Sequence, residues 1–74
     1  MSDQLALQQI VEQAFNRATA EPTLQRWRSC SVVAGCAAVR MAAEGNDFMA
    51  ASLEGVAEEA RRRMLDLMPK AVSA

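Results

Sequence analysis

The side chains of this chain that could do chemistry are few, and their arrangement suits no common active site. The 74 residues contain no histidine and no tyrosine, and Cys30 and Cys36 both lie in a run of small and apolar residues. Nucleophilic catalysis normally needs a serine or cysteine that is activated by a neighbouring base, most often histidine. The sequence therefore predicts a protein that is not an enzyme and takes no small-molecule substrate.

The two cysteines are six residues apart, which on a helix separates them by about 240° around the axis and about 9 Å along it. This geometry excludes a disulfide between them. They also lack the Cys-x-x-Cys spacing that is typical of redox and metal motifs. We expect two buried, reduced and poorly reactive thiols, with a redox or metal role as the alternative.

Glu54, Glu58 and Glu59 could suggest a metal site, and the Arg61-Arg62-Arg63 run that follows them could suggest a phosphate site. Several of them are four residues apart, the spacing of ion pairs along a helix. These pairs are Glu58 with Arg62, Glu59 with Arg63, and Arg62 with Asp66. A solvated ion-pair face explains the pattern without a ligand, so we predict neither a metal nor another cofactor.

Ser52 stands near the start of a predicted helix. In Ala51-Ser52-Leu53 it resembles the attachment serine of acyl carrier proteins. Ala51 occupies the position where that family's motif has an aspartate, and the strongly acidic helix of the family is missing. The resemblance implies a carrier or enzyme accessory protein, which we keep as a third hypothesis without assigning the chain to the family.

Composition limits both the fold and its partners. The chain is 51% hydrophobic but only 4% aromatic, and it is long enough for one small domain, so its core must be thin and rich in alanine. A core of this kind is marginal alone, which predicts a stabilising partner, either a second copy or another protein. The formal net charge of −1 gives no attraction to phosphate backbones or anionic lipid, so we expect neither nucleic acid nor membrane as a partner.

No segment predicts export or membrane insertion. The first 20 residues lack the basic start of a signal peptide, and the uncharged run from Ser29 to Val39 is much shorter than the roughly 20 apolar residues of a spanning helix. Arginine dominates the basic residues and alanine is the commonest residue, a usage that suggests a GC-rich bacterial genome. We therefore expect a cytoplasmic bacterial protein.

Hydrophobic periodicity predicts an all-α fold of three helices at about 3–18, 20–44 and 47–68. The second and third should form an antiparallel hairpin, onto which the first, amphipathic helix packs. Residues 70–74 are expected to fray. The single domain should span residues 1–74.

Two turns separate these helices. Gly45 suits the left-handed position after a helix, and Asn46 or Asp47 suits the next N-cap. Pro22 marks the other break and leaves two alternatives for the next helix. Either Thr19 caps it and Pro22 lies in its first turn, or Thr23 caps it.

The run from Ser29 to Val39 is expected to organise the fold, because a helix without a polar face must be covered on several sides. Ser31, Gly35, Ala38 and Ala42 form a line of small residues that would let a neighbouring helix approach closely. Gly35 lowers helix stability by roughly 1 kcal/mol relative to alanine, which a close contact would explain.

These features predict a small protein-protein interaction module, such as a regulator, an inhibitor or a secretion-type co-chaperone, that acts through apolar helical surfaces. The rival hypothesis is a structural subunit that assembles with itself. Trp27 is either a core residue, which its position favours, or an interface anchor. The residues predicted to form an interface are Trp27, Ser31, Gly35, Ala38, Met41, Ala42, Phe48, Met49, Met64, Leu65 and Met68.

Overall fold

The computed structural model describes residues 3–68, which form three helices and no strand, and it confirms the predicted all-α class. Helix α1 spans Asp3–Ala20, α2 spans Leu24–Ala43 and α3 spans Asp47–Leu67. α2 and α3 form the predicted antiparallel hairpin, and α1 packs mainly on α2. The tail at 70–74, which was expected to fray, lies outside the described residues.

Thr23 caps α2. Its Oγ1 accepts a hydrogen bond from the backbone N–H of Arg26 at 3.1 Å. The hydroxyl of Thr19 instead donates to the carbonyl of Phe15 at 2.9 Å inside α1. Of the two predicted alternatives the Thr23 cap is confirmed, so α2 begins at Leu24 and not near residue 20, because Pro22 disfavours helical geometry only at its own neighbours and α1 continues up to them.

The turn between α2 and α3 confirms the predicted capping residues. Gly45 has a φ of +84°, a left-handed conformation that glycine adopts without steric cost. The N–H groups of Gly45 and Asn46 donate to the carbonyls of Ala42 and Met41 at 3.0 and 2.9 Å, the two bonds of a Schellman motif. Asn46 Oδ1 then accepts the N–H of Met49 at 3.2 Å and caps α3.

Asn46 also links the turn to α1. Its Nδ2 donates to Oε1 of Gln4 at 3.0 Å, while Nε2 of Gln4 donates to Oε1 of Glu44 at 3.2 Å. These side chains bring together the start of α1, the end of α2 and the start of α3. α1 therefore runs antiparallel to α2, as α3 does.

The core is thin and rich in alanine, as predicted. Small side chains allow α2 and α3 to lie close together, and the largest fully buried side chains are Trp27, Met41 and Cys30. The buried alanines on these two helices are Ala34, Ala37, Ala38, Ala50, Ala57 and Ala60.

The expectation that α2 is covered on several sides is wrong for one of its faces. Ser29, Val32, Cys36 and Val39 are exposed, and Val32 and Val39 are 57% and 68% exposed. α1 and α3 both pack on the opposite half of α2, and no other helix within residues 3–68 covers this face. The uncharged run thus forms a buried seam on one side and an exposed apolar face on the other.

The expectation of a close helix approach at Gly35 is also wrong within the chain. A Cβ atom built on Gly35 meets no other atom within 4 Å. Ser31 and Ala38 of the small-residue line are buried, whereas Ala42 is exposed. The line is therefore split between the α2–α3 seam and the surface.

Candidate interaction surfaces

Trp27 is a core residue and not an exposed interface anchor. It is 1% exposed, and its ring meets the ring of Phe15 edge to face with 5.4 Å between centroids and 77° between planes. On the other side, the guanidinium carbon of Arg63 lies 5.2 Å from the Trp27 ring centroid. Trp27 therefore holds both α1 and α3 against α2.

Glu59 brings two arginines together on α3. Its carboxylate lies 2.8 Å from Nε of Arg63, which confirms that predicted pair, and 3.0 Å from a terminal nitrogen of Arg62. Arg62 thus pairs with Glu59. The spacing had suggested Glu58 and Asp66 as its partners, and that expectation is wrong. The hydrogen bond from Arg63 holds the pKa of Glu59 below its ordinary value; partial desolvation opposes this, and the charges of both arginines reinforce it.

Within residues 3–68, no group of three cysteine or acidic side chains is placed to hold a metal ion.

The two thiols are both unpaired, but they differ in exposure. Cys30 is fully buried, and burial raises the pKa of its thiol. Cys36 is exposed on the uncovered face of α2, so the prediction of a buried thiol is wrong there. The apolar run does not bury every member, because α1 and α3 cover only half of the helix.

The structure divides the predicted interface residues into three groups. Four are buried within the chain and belong to its core: Trp27, Ser31, Ala38 and Met41. Three are half-buried: Gly35, Met49 and Met64. Four are exposed: Ala42, Phe48, Leu65 and Met68. Only the last two groups can contribute surface to a partner.

Ser31 of the buried group and Met64 of the half-buried group pack against each other inside the chain. The hydroxyl of Ser31 donates to the carbonyl of Arg28 at 2.8 Å and lies 3.8 Å from the sulfur of Met64. Both side chains therefore contribute to the α2–α3 seam. Met64 fills space in this alanine-rich core, as methionine commonly does.

An open apolar groove of about 310 Å³ lies between α1 and α3, and we call it the α1–α3 groove. Its floor contains the buried side chains of Val11 and Leu53, and its walls contain the half-buried side chains of Phe15 and Val56. Phe48 stands at its rim and is 80% exposed. The remaining lining residues are Gln8, Glu12, Met49 and Ser52.

The groove exists because α1 and α3 both pack on α2 while they scarcely contact each other. The two helices that border it run in the same direction, since each is antiparallel to α2. From Phe48 to Val56 the α3 wall is about 12 Å long, at 1.5 Å per residue. The sequence places the floor and wall residues on the apolar stripes of their helices, but periodicity cannot show that two neighbours of one helix fail to meet.

A larger cavity of about 540 Å³ lies at the α1–α2 turn, but its chemistry is different. Its lining is polar, and two of its charged side chains, Arg26 and Glu21, already pair with each other at 2.7 Å. The α1–α3 groove is the better candidate site, because apolar area is exposed there.

Comparison with known proteins adds no functional assignment. No family model matches the chain, and neither a curated protein nor a solved structure matches it significantly. No helix within residues 3–68 is both long and apolar enough to cross a membrane. The surfaces of the three-helix bundle are therefore the basis for inferring its function.

Proposed function

We propose that the chain is a small, non-enzymatic interaction module whose α1–α3 groove binds an amphipathic helix of a partner protein. The observation that carries this proposal is the exposed aromatic ring of Phe48 beside a groove whose floor is apolar. A phenylalanine that is 80% exposed has a large apolar area in contact with water. Contiguous exposed apolar surface on a small protein is typical of a protein-protein contact.

The shape of the groove favours a helix over a small molecule. Small-molecule sites usually enclose most of their ligand, whereas this groove is open along its length. Apolar side chains at positions i, i+4 and i+7 of a helix span about 10.5 Å, close to the 12 Å of the α3 wall. A fourth helix there would cover the floor and complete a four-helix bundle.

The rim of the groove indicates the charge of the partner. Glu12 contributes a carboxylate, and no basic side chain occurs among the described residues that line the groove. We therefore propose a partner helix with a basic residue at the edge of its apolar face. Such a charge would mainly favour the correct orientation and faster association, while the apolar contact would supply most of the affinity.

A regulator, an inhibitor or a secretion-type co-chaperone in the bacterial cytoplasm would act in this way, by covering or holding a helix of a client protein. Ser52 is exposed beside the groove, where it contributes a polar edge to the proposed contact.

The test is a selection of displayed peptides that tile the proteome of the source organism, followed by chemical-shift mapping of purified peptides on the labelled protein. We expect the selected peptides to share apolar residues at i, i+3 or i+4, and i+7. Their largest shifts should fall on Val11, Phe48 and Leu53. Phe48→Ala should weaken binding at least about tenfold, since an anchor side chain contributes about 2 kcal/mol or more and a factor of ten is about 1.4 kcal/mol.

Leu65→Ala is the matched control, because Leu65 is also on α3 and is 65% exposed but does not line the groove. It should leave the affinity unchanged. Peptides that shift residues away from the groove, or that bind both variants equally well, would refute the proposed site.

A further inference from the structure

The uncovered face of α2 carries a regular stripe of uncharged side chains that is separate from the groove. Its members are Ser29, Val32, Cys36, Val39 and Ala43, all of them exposed, and we call them the outer α2 stripe. Val32 and Val39 supply its apolar bulk, at 57% and 68% exposure. No side chain of α1 or α3 covers these two valines, although both are large enough to contribute to a core.

The stripe has the spacing of a coiled-coil seam. Its members follow each other at intervals of three, four, three and four residues, an average of 3.5, which keeps a row of side chains facing one partner helix. Valines alternate with the smaller side chains of Ser29, Cys36 and Ala43, so an antiparallel helix with the same pattern brings its valines beside these valines and its small residues beside the small ones. A second copy of this chain has that pattern by definition.

Gly35 adjoins the stripe and favours a close approach by the second helix. Nothing within the chain comes within 4 Å of the position that its Cβ would occupy. Glycine in the middle of a helix is less stable than alanine by about 1 kcal/mol, and no contact inside the described chain compensates for this. A second helix on the outer α2 stripe would use the space that Gly35 leaves.

From these features we propose that the protein forms a two-fold symmetric homodimer in which the outer α2 stripes of two copies pack antiparallel across Cys36. Ser29 and Ala43 are each seven residues from Cys36, and Val32 and Val39 lie four and three residues from it, so the stripe is nearly symmetric about that residue. A two-fold axis there places the two Cys36 side chains together. It also places Ser29 of each copy opposite the partner's Ala43.

Charge favours the antiparallel direction over the parallel one. The N-terminal end of α2 carries Arg28 and the positive pole of the helix dipole, which a parallel dimer would bring next to the same groups of the second copy, while Arg26 is already paired with Glu21 at 2.7 Å. An antiparallel dimer instead sets this basic end beside the C-terminal end of the other α2. That end has the negative pole of the helix dipole and an Arg40–Glu44 pair at 3.5 Å, which neutralise or reverse its charge.

The dimer is expected to be weak. The stripe from Ser29 to Ala43 is only about 21 Å long, whereas a standard interface removes about 800 Å² of surface from each partner. That area would be roughly 15% of the 5304 Å² that one chain exposes. Covalent trapping is therefore a more sensitive test than the isolation of a stable complex.

The first experiment mixes two variants, Ser29→Cys and Ala43→Cys, each carrying Cys36→Ser, with one of them isotopically labelled. Diamide oxidises facing thiols: each thiol loses a proton and an electron, and a disulfide forms. We expect the mixed disulfide to exceed each homodisulfide at least tenfold. The antiparallel dimer would be overturned if mixed disulfides and homodisulfides formed in the proportions of random pairing. A majority of homodisulfides, or no disulfide at millimolar protein, would overturn it as well.

The second experiment separates this contact from the α1–α3 groove. Val32→Lys should keep the protein at its monomeric mass of 8.0 kDa in sedimentation equilibrium at concentrations where the wild type self-associates. Phe48→Lys should self-associate like the wild type, since Phe48 is at the groove. Both positions are exposed, so melts of dilute protein should be unchanged. Loss of association in Phe48→Lys but not in Val32→Lys, or a wild type that stays monomeric, would overturn the proposal whatever the peptide selection shows.

Discussion

The guanidinium carbon of Arg63 lies 5.2 Å from the centroid of the Trp27 ring, so the last arginine of Arg61-Arg62-Arg63 faces the core. The same side chain donates to Glu59 at 2.8 Å, which fixes the guanidinium over the ring. Arg63 thus links α3 to the largest buried side chain of α2. A sequence motif that could have suggested phosphate binding contributes instead to holding the bundle together.

We expect Arg63→Met to lower the free energy of unfolding by about 0.5 to 1 kcal/mol, because methionine keeps the apolar stem but removes the cation over the ring. Urea unfolding can be followed by fluorescence, since Trp27 is the only tryptophan.

Arg62→Met is the matched control for this change. Arg62 pairs with the same carboxylate of Glu59 but is largely exposed, so its loss should have a much smaller effect. Equal destabilisation by the two variants would show that the ion pairs matter and that the contact with Trp27 does not.

Acid should weaken the Glu59 contact. Because the pKa of Glu59 is lowered in the folded state, its contribution to stability is fully present above the ordinary glutamate pKa of about 4.3 and is lost as the pH falls through the lowered value. Glu59→Gln should therefore be less stable than the wild type at neutral pH, and the two should converge in acid. Denaturant unfolding of both proteins across this pH range is the measurement.

High salt provides the control, because Glu59 is only partly buried and its charge interactions are screened. At about 1 M salt the difference between Glu59→Gln and the wild type at neutral pH should shrink. A difference that persists in acid and in high salt would point to lost packing and not to charge.

The two thiols should react at very different rates. Cys36 is exposed, whereas Cys30 is buried and its thiol pKa is raised, which lowers the thiolate fraction that attacks a labelling reagent. Native titration with a maleimide should give one fast and one slow thiol, and the Cys36→Ser variant should lose the fast phase. Two slow thiols in dilute protein would contradict the exposure of α2's outer face. A fast phase that slows with protein concentration would support the dimer.

Local signals along the chain were enough to predict the number of helices and the caps. Gly45 and Asn46 act through bonds to residues within one turn of them, so their sequence context determines their roles. The position of Trp27 in the middle of an apolar seam likewise predicted its burial. The break at Pro22 left two alternatives, since both Thr19 and Thr23 can cap a helix, and the cap of α3 was open between Asn46 and Asp47.

The surfaces could not be predicted in the same way, because they depend on how the helices pack and not on the periodicity of each one. The sequence shows that Val32 and Val39 are apolar, but not that α1 and α3 both pack on the other half of α2. It also does not show that Phe15 and Val56 face each other across an open groove. The three-four spacing of the outer α2 stripe was present in the sequence, but it could be recognised as an exposed seam only after its burial was known.

Leucine substitutions at Gly35 and Gly55 can distinguish helix packing within one chain from packing between two copies. A Cβ at either glycine meets nothing within 4 Å, so neither Gly35→Leu nor Gly55→Leu should overpack the chain. Each should raise the stability of the dilute protein by up to about 1 kcal/mol, because leucine is a much better helix former than glycine. Thermal melts of dilute protein provide this measurement.

At high concentration the two variants should differ. Leucine at position 35 would occupy the space into which a second α2 packs, so Gly35→Leu should reduce self-association, whereas Gly55→Leu on α3 should leave it unchanged. Sedimentation equilibrium of both variants beside the wild type measures this difference. Loss of helicity in Gly35→Leu would show that another helix of the same chain lies close to this position. Unchanged association in both variants would mean that the small residues of α2 face solvent and that no second copy packs there.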